Sequence, residues 1–286
     1  MKNKPWLFYT ILTTLTWGIW GALMELPVKA GFPSTLGYSV WALTMIPCAI
    51  FALRLNQFKL EHDKKSLFSG LIIGFTGSGG TVLLFEVLKL GPAYIIFPII
   101  SLSPILTVIL SVIFLKEKTS RKSWFGIILA LIAIFLLSYS KPDGTEKKDY
   151  LWLELTILIF IMWGVQAFYM KLANNSMKAE SIFTYMAITA VILIPVTILM
   201  TDFHQNINWG FKGPYLTAII QIMNAIGALS LVYAIRYGKV VIVTPMTSLY
   251  PVITIILSLA IYAVIPGPVM IAGIILAIIS IYLFAL

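Results

Sequence analysis

Two short aromatic and amide motifs stand out in a chain that is otherwise rich in aliphatic residues. Trp17 and Trp20 lie three residues apart, and Trp163 and Gln166 repeat this spacing in the second half of the chain. Residues three apart share one face of a helix. Tryptophan rings and amides together bind planar or zwitterionic solutes by stacking and hydrogen bonding. The two motifs therefore predict a site for a small organic molecule.

Further polar side chains are expected near the middle of the helical segments. Gln221 and Asn224 again lie three residues apart. An unpaired amide is costly in hydrocarbon, so we expect these side chains to face protein, water or a ligand. For each residue taken alone, helix packing is an equally good interpretation. The predicted substrate-binding residues are Trp17, Trp20, Ser78, Ser101, Trp163, Gln166, Gln221, Asn224 and Ser248.

Two of the predicted serines are each flanked by prolines three residues away on both sides. Proline removes a backbone hydrogen bond and bends a helix, so the pattern predicts a pair of symmetric bends. The bends could act as hinges or as static kinks that help packing, and the repeated spacing favours hinges. The predicted hinge residues are Pro98, Pro104, Pro245 and Pro251.

The composition excludes a water-soluble fold. The 286 residues are 60% hydrophobic and only 11% charged, and the mean hydropathy is +0.97. Such a chain has too few polar side chains to cover the surface of a globule of this size. A bilayer is the expected solvent, and the net charge of +9 reports loop topology in a membrane chain rather than nucleic-acid binding.

Apolar runs separated by short polar or Pro/Gly breaks predict an all-α integral membrane protein with ten transmembrane helices. The runs are continuous rather than alternating, which favours helices over barrel strands. A crossing takes about 20 apolar residues. The predicted spans are 5–25, 34–54, 66–89, 92–115, 122–140, 150–171, 180–201, 212–235, 239–262 and 267–286.

The distribution of Lys and Arg predicts the orientation of these spans. With the N-terminus inside, 14 of the 20 basic residues lie on the cytoplasmic side and 6 lie outside. Cytoplasmic loops carry the excess of basic residues, so both termini are expected in the cytoplasm. The longest external loop, 141–149, holds three lysines against this trend, but the count over all loops still favours cytoplasmic termini.

An internal repeat divides the chain. Residues 84–139 align with 231–286 at an offset of 147 without a gap and at about one third identity, and residues 126–130 recur as 273–277. The matches include Pro, Ser, Thr and Gly at their own spacings, which indicates a duplication. Five spans is an odd number, so the two copies are expected to cross the membrane in opposite directions. The predicted units are 1–140, an external linker at 141–149, and 150–286.

The chain resembles the drug/metabolite transporter superfamily, EamA type. The residues that carry the resemblance are the Trp-Gly pairs at 17–18 and 163–164, together with Pro104, Leu115-Lys116-Glu117 and the 126–129 motif. The resemblance implies two inverted five-helix repeats and export or exchange of amino acids or related metabolites across a bacterial inner membrane. One position departs from the family pattern, because Val264 replaces the second copy of the acidic residue at Glu117.

Other functions are excluded or left as alternatives. With one cysteine and two histidines in opposite loops, we expect no metal site, no cofactor and no catalytic triad. No ionisable residue falls near the middle of a predicted span. The expected partners are a small-molecule substrate and the lipid bilayer, with no nucleic acid, and the chain is expected as a monomer or homodimer. The alternatives to a secondary exporter or exchanger are a sugar uptake carrier of a related branch and a membrane scaffold without transport activity.

Overall fold

The protein is all-helical throughout the part described by the computed structural model, which comprises residues 4–91, 93–138, 151–262 and 267–285. A π-helical turn, Phe211–Tyr215, leads directly into the eleventh helix. The helices are α1 (Pro5–Leu23), α2 (Glu25–Lys29), α3 (Ser34–Leu55), α4 (Lys64–Leu90), α5 (Ala93–Ser101), α6 (Ser103–Phe114), α7 (Arg121–Ser138), α8 (Leu151–Asn174), α9 (Ala179–Ile192), α10 (Ile194–Leu199), α11 (Leu216–Tyr237), α12 (Val240–Thr247), α13 (Tyr250–Tyr262) and α14 (Pro268–Ala285).

Length and composition mark the fold as an integral membrane protein. Within the described ranges, seven helical stretches are long and apolar enough to cross a bilayer, as a crossing requires about 20 apolar residues. They are Pro5–Lys29, Ser34–Leu55, Lys64–Leu90, Leu151–Asn174, Ala179–Leu199, Phe211–Tyr237 and Val240–Leu257, and shorter apolar helices cover Ile99–Phe114 and Pro268–Leu283. The prediction of a helical membrane protein is confirmed, whereas ten crossings stay a prediction. The linker 141–149 lies outside the described residues.

Helix packing follows the sequence repeat. Helix α1 packs against α11 and α13, and α8 packs against α4 and α6. In the repeat, α1 corresponds to α8, α11 to α4, and α13 to α6. The contacts that the first helix of one half makes with the other half therefore occur twice. Two pairs of corresponding helices also pack directly on each other, α3 on α9 and α7 on α14.

Three helix breaks share one local cause. The chain leaves helical geometry at Leu102, at Ser248 and Leu249, and at Leu193, and in each case a proline lies in the first turn of the next helix. At the start of a helix the missing N–H of proline would have no intrahelical partner, so proline is well tolerated there. The first two breaks fall between the predicted hinge prolines, and of Pro98 only the backbone is described.

The break at Leu193 divides a segment that the sequence predicts as one span. Pro195 is the second residue of α10, and the same arrangement places Pro104 in α6 and Pro251 in α13. The helix is therefore interrupted within the predicted span 180–201, although Ala179–Leu199 remains one stretch that is long and apolar enough to cross a bilayer.

The polar connections gather at the two ends of the helix bundle. The basic end, as we call it, carries the start of α1 and the connections α3–α4, α6–α7, α8–α9 and α11–α12. The opposite end carries the connections α2–α3 and α10–α11. Between the ends, large apolar side chains such as Leu43, Ile256 and Ile275 are more than half exposed, as expected of a surface that faces lipid.

Candidate functional site

Trp17 and Gly18 join the first helix of one half to two helices of the other. The Trp17 indole N–H donates to the main-chain oxygen of Asn224 at 3.3 Å. The ring lies against Gly227, where an added Cβ would come within 2.5 Å of the indole. Gly18 accepts a hydrogen bond of 3.0 Å from the Thr254 hydroxyl. We call these five residues the Trp17 junction.

Trp163 and Gly164 make the same contacts in the second half. The Trp163 indole N–H donates to the main-chain oxygen of Gly77 at 3.3 Å, and a Cβ on Gly80 would lie 2.5 Å from the indole nitrogen. Gly164 accepts a hydrogen bond of 2.9 Å from the Thr107 hydroxyl. We call these five residues the Trp163 junction.

The two junctions correspond residue by residue. Gly77, Gly80 and Thr107 match Asn224, Gly227 and Thr254 at the repeat offset of 147, while the Trp-Gly pairs match at 146. Small residues let the helices approach closely enough for these bonds to form across the interface. The junctions fix how deep α1 and α8 sit against the opposite half.

A cluster of polar side chains extends from the Trp17 junction. The Trp20 indole N–H donates to Gln221 Oε1 at 2.9 Å, and Asn224 Nδ2 lies 3.4 Å from the same oxygen. The Gln221 amide nitrogen reaches the main-chain oxygen of Gly37 at 3.5 Å. We call Trp20, Gln221 and Asn224 the amide cluster. Gln221 is buried, whereas Trp20 and Asn224 are partly exposed.

The corresponding place at the Trp163 junction is much less polar. Gln166 stands where the first half has Trp20, and Gly74 and Gly77 stand where the second half has Gln221 and Asn224. A Cβ on Gly77 would meet the Gln166 amide nitrogen at 2.2 Å. The Gln166 side chain therefore lies flat against glycine backbone.

The three predicted serines lie in different settings. Ser78 is 3% exposed and contacts the Tyr38 hydroxyl, which itself donates to the main-chain oxygen of Ala190 at 3.2 Å. Ser101 and Ser248 are partly exposed beside the helix breaks. Among the described hydrogen bonds, none connects these serines to the amide cluster. The role of each predicted residue in substrate binding stays a prediction.

A groove at the outside of the bundle differs from this polar region. It has a volume of about 340 Å³ and lies between α6 and α7. Its lining is apolar, so it suits lipid acyl chains rather than a polar solute. The lining residues are Ile105, Val108, Ile109, Val112, Ile113, Trp124, Ile127, Ile128 and Leu131.

Sequence reasoning missed the residues that contact the two Trp-Gly pairs. Thr107 and Thr254 were visible as a repeated pair, but their hydroxyls bond to glycine carbonyls across the interface, which a sequence does not display. Gly80 and Gly227 also match at the repeat offset, and this match was the available signal. In the described part of the chain, no three His, Cys, Asp or Glu side chains come together to bind a metal.

Comparisons with known proteins agree with this architecture. Residues 4–139 and 150–286 each match the EamA-like transporter family. An uncharacterized protein of Methanocaldococcus jannaschii is 36% identical over 96 residues, which cover 34% of this chain and 69% of the relative. One crystal structure superposes with a TM-score of 0.78 at 16% identity, over 98% of each chain, and this likeness concerns the fold alone.

Proposed function

The chain belongs to the EamA-like transporter family, and we propose that it is a secondary transporter that moves a small organic solute by alternating access. We infer ten membrane helices in two five-helix halves of opposite orientation, with both termini in the cytoplasm. The solute is an amino acid or a related metabolite, and the direction is export or exchange. The family suggests a transporter rather than an enzyme.

The observation that carries this proposal is the pair of junctions. Each junction joins the first helix of one half to two helices of the other half. Helix α1 meets α11 and α13, and α8 meets α4 and α6. A bundle made of two such interlocked halves has its shared interface at mid-depth, which is where transporters built from inverted repeats bind their solutes.

The amide cluster supports an uncharged or zwitterionic solute. Its members offer indole and amide groups without a formal charge, and aromatic rings with a few amides suit planar or zwitterionic molecules. Trp17, Trp163 and Gln166 adjoin the same interface. A strongly anionic solute such as a phosphate ester would lack a cation among these side chains.

The first experiment identifies a ligand and then measures flux. A thermal-shift screen of amino acids and metabolites should yield at least one compound that raises the Tm, because a ligand that binds the folded state stabilises it. Purified protein in liposomes should then transport that compound with saturable flux that is stimulated by the same compound on the far side. Flux that neither saturates nor responds to solute on the far side would contradict the carrier mechanism.

The second experiment tests topology. Single cysteines replace Lys116 at the basic end and Lys212 at the opposite end in a Cys48→Ser background, which is otherwise free of cysteine. A membrane-impermeant maleimide added to intact cells should label the Lys212→Cys variant and not the Lys116→Cys variant. The reverse pattern would contradict the inferred orientation. Size measurement in detergent distinguishes the monomer from the homodimer that we also allow.

A further inference from the structure

Glu117 binds the start of a helix in the other half of the molecule. Its two carboxylate oxygens accept the backbone N–H groups of Val240 at 3.3 Å and Val241 at 3.2 Å. These are the first two residues of α12, whose N–H groups have no partner within the helix. A carboxylate at this position is favourable, since the N-terminus of a helix carries a partial positive charge.

Lys171 binds the end of the preceding helix. Its ammonium donates to the main-chain oxygens of Ile235 at 3.0 Å and Gly238 at 2.6 Å. A cation is favourable at a helix C-terminus for the same electrostatic reason. The ammonium also lies 3.9 Å from the Glu117 carboxylate. The α11–α12 turn is thus held on one side by a cation and on the other by an anion.

This arrangement differs from the other ion pairs of the described residues. The Glu117 side chain is 10% exposed and that of Lys171 is 17% exposed. By contrast, the Glu25–Lys29 and Glu86–Lys89 pairs have side chains that are 44% to 61% exposed. Exposed pairs contribute little, whereas a buried charge that loses its partner is costly.

The contact crosses between the halves, and the repeat does not reproduce it. Glu117 belongs to the first half, whereas Lys171 and the α11–α12 turn belong to the second. At the repeat offsets, Glu117 corresponds to Val264 and Lys171 corresponds to Glu25. The opposite end of the molecule therefore lacks both charges of this pair. Val264 lies outside the described residues.

The opposite end is joined by uncharged groups instead. Thr35 and Thr201 share a hydrogen bond of 2.7 Å, and Ser39 and Thr197 share one of 3.1 Å. When the halves separate at this end, each hydroxyl can form a hydrogen bond with water in place of its present partner, at little cost. Separating the halves at the basic end requires a buried carboxylate to leave its donors.

We propose that Glu117 and Lys171 form an ionic latch that keeps the basic end closed in the absence of solute. The proposal rests on the proposed function, because a latch has a purpose only in a protein whose two ends open alternately. When the latch is intact, the first half is fixed to the α11–α12 turn. When Glu117 is released, α12 can move away from α6 and α7 and open the basic end.

The test compares thiol access at the two ends. In the Cys48→Ser background, Thr244→Cys places a buried thiol in α12 and Ser39→Cys places one in α3 near the opposite end. Glu117→Gln keeps the side-chain shape and removes the charge. We expect it to raise the rate at which N-ethylmaleimide alkylates Thr244→Cys about tenfold, a change that corresponds to the loss of a charge-assisted hydrogen bond. The rate at Ser39→Cys should stay the same or fall.

Two controls make the result specific. Glu86→Gln removes an exposed acid at the opposite end and should change neither rate. If Glu117→Gln does not fold, Glu117→Asp keeps the charge but shortens the reach, and it should raise the Thr244→Cys rate by a smaller factor. An unchanged Thr244→Cys rate would overturn the latch, and so would equal increases at both thiols, which would indicate general loosening.

The labelling experiment needs no solute, so it separates the two proposals. Faster alkylation at Thr244→Cys alone, with no saturable flux of any compound, would support the latch and reject the transporter. Saturable flux with unchanged alkylation would support the transporter and reject the latch.

Discussion

The Trp17 and Trp163 junctions share one backbone arrangement but differ in the polar groups beside them. In both, an indole N–H donates to a helix carbonyl at 3.3 Å and a threonine hydroxyl bonds to the glycine that follows the tryptophan. Only the Trp17 junction continues into a hydrogen-bonded amide cluster, since the corresponding residues in the other half are Gly74 and Gly77. The contacts that interlock the halves are thus duplicated, whereas the hydrogen-bonded amides lie on one side.

This difference separates two roles of tryptophan in this chain, namely holding helices together and bonding to a polar side chain. Trp17 and Trp163 have their indole N–H groups bonded to main chain and their rings against glycine, so they hold helices together. Trp20 donates to the side chain of Gln221 instead, and a side-chain acceptor can turn to another partner more easily than a helix carbonyl can. We therefore expect matched changes at the junctions to have equal effects, and matched changes at the amides to have unequal ones.

The largest expected effect concerns the glycines beneath the two indoles. Gly80→Ala and Gly227→Ala each place a Cβ about 2.5 Å from a tryptophan ring. Overpacking of this kind should lower the free energy of unfolding by about 2 kcal/mol. Thermal unfolding in detergent should show similar falls in Tm for the two variants.

Gly79→Ala is the matched control for this prediction. A Cβ on Gly79 would meet only the terminal methyl of Met162, at 3.1 Å, and a flexible side chain can move aside. Its Tm should stay the same or rise, because alanine is the better helix former. A large fall in Tm at only one of Gly80→Ala and Gly227→Ala would break the equivalence of the junctions.

The next effect concerns the two glutamines. Gln221→Leu removes the acceptor of Trp20 and Asn224 and leaves their donors unpaired, so solute flux should fall about tenfold. Gln166→Leu should lower flux less, because the described residues provide no hydrogen-bond partner for the Gln166 side chain. Initial rates in liposomes, at equal amounts of folded protein, measure both. Equal losses would show that the polarity of the interface is shared by the two halves.

The smallest effect concerns the two threonines. Thr107→Val and Thr254→Val each remove one hydroxyl bond to a glycine carbonyl that also belongs to a helix. Hydrogen bonds between membrane helices contribute about 0.6 kcal/mol on average, so both variants should show a small and equal fall in Tm. A neutral effect at one site with a clear effect at the other would mean that the two interfaces pack differently.

Much of the helical fold and the location of the junctions could be predicted from the sequence. Continuous apolar runs identified a helical membrane protein, and the repeated Trp-Gly pairs identified residues that the structure brings to the interface between halves. The amides Gln221 and Asn224 followed from the cost of burying an unpaired amide. Each of these inferences depends on composition or spacing along one helix.

The remaining features depend on how helices sit against one another. The partner of the Trp17 indole is a main-chain oxygen, and which oxygen it meets is set by the relative depth of α1 and α11. The helix breaks at Leu193 before Pro195, whereas the corresponding helix α3 continues through Pro47. The partners of Glu117 are backbone N–H groups 123 and 124 residues away. No local pattern specifies contacts of this kind.

The opposite charges of the proposed latch bear on how its opening responds to membrane voltage. Glu117 and Lys171 lie within 4 Å of each other, so together they carry no net charge through the electric field when they part sideways. Moving a single elementary charge across the membrane corresponds to about 2.3 kcal/mol per 100 mV, and a neutral pair avoids that coupling. Parting of the Glu117–Lys171 pair should therefore add almost nothing to the voltage dependence of opening.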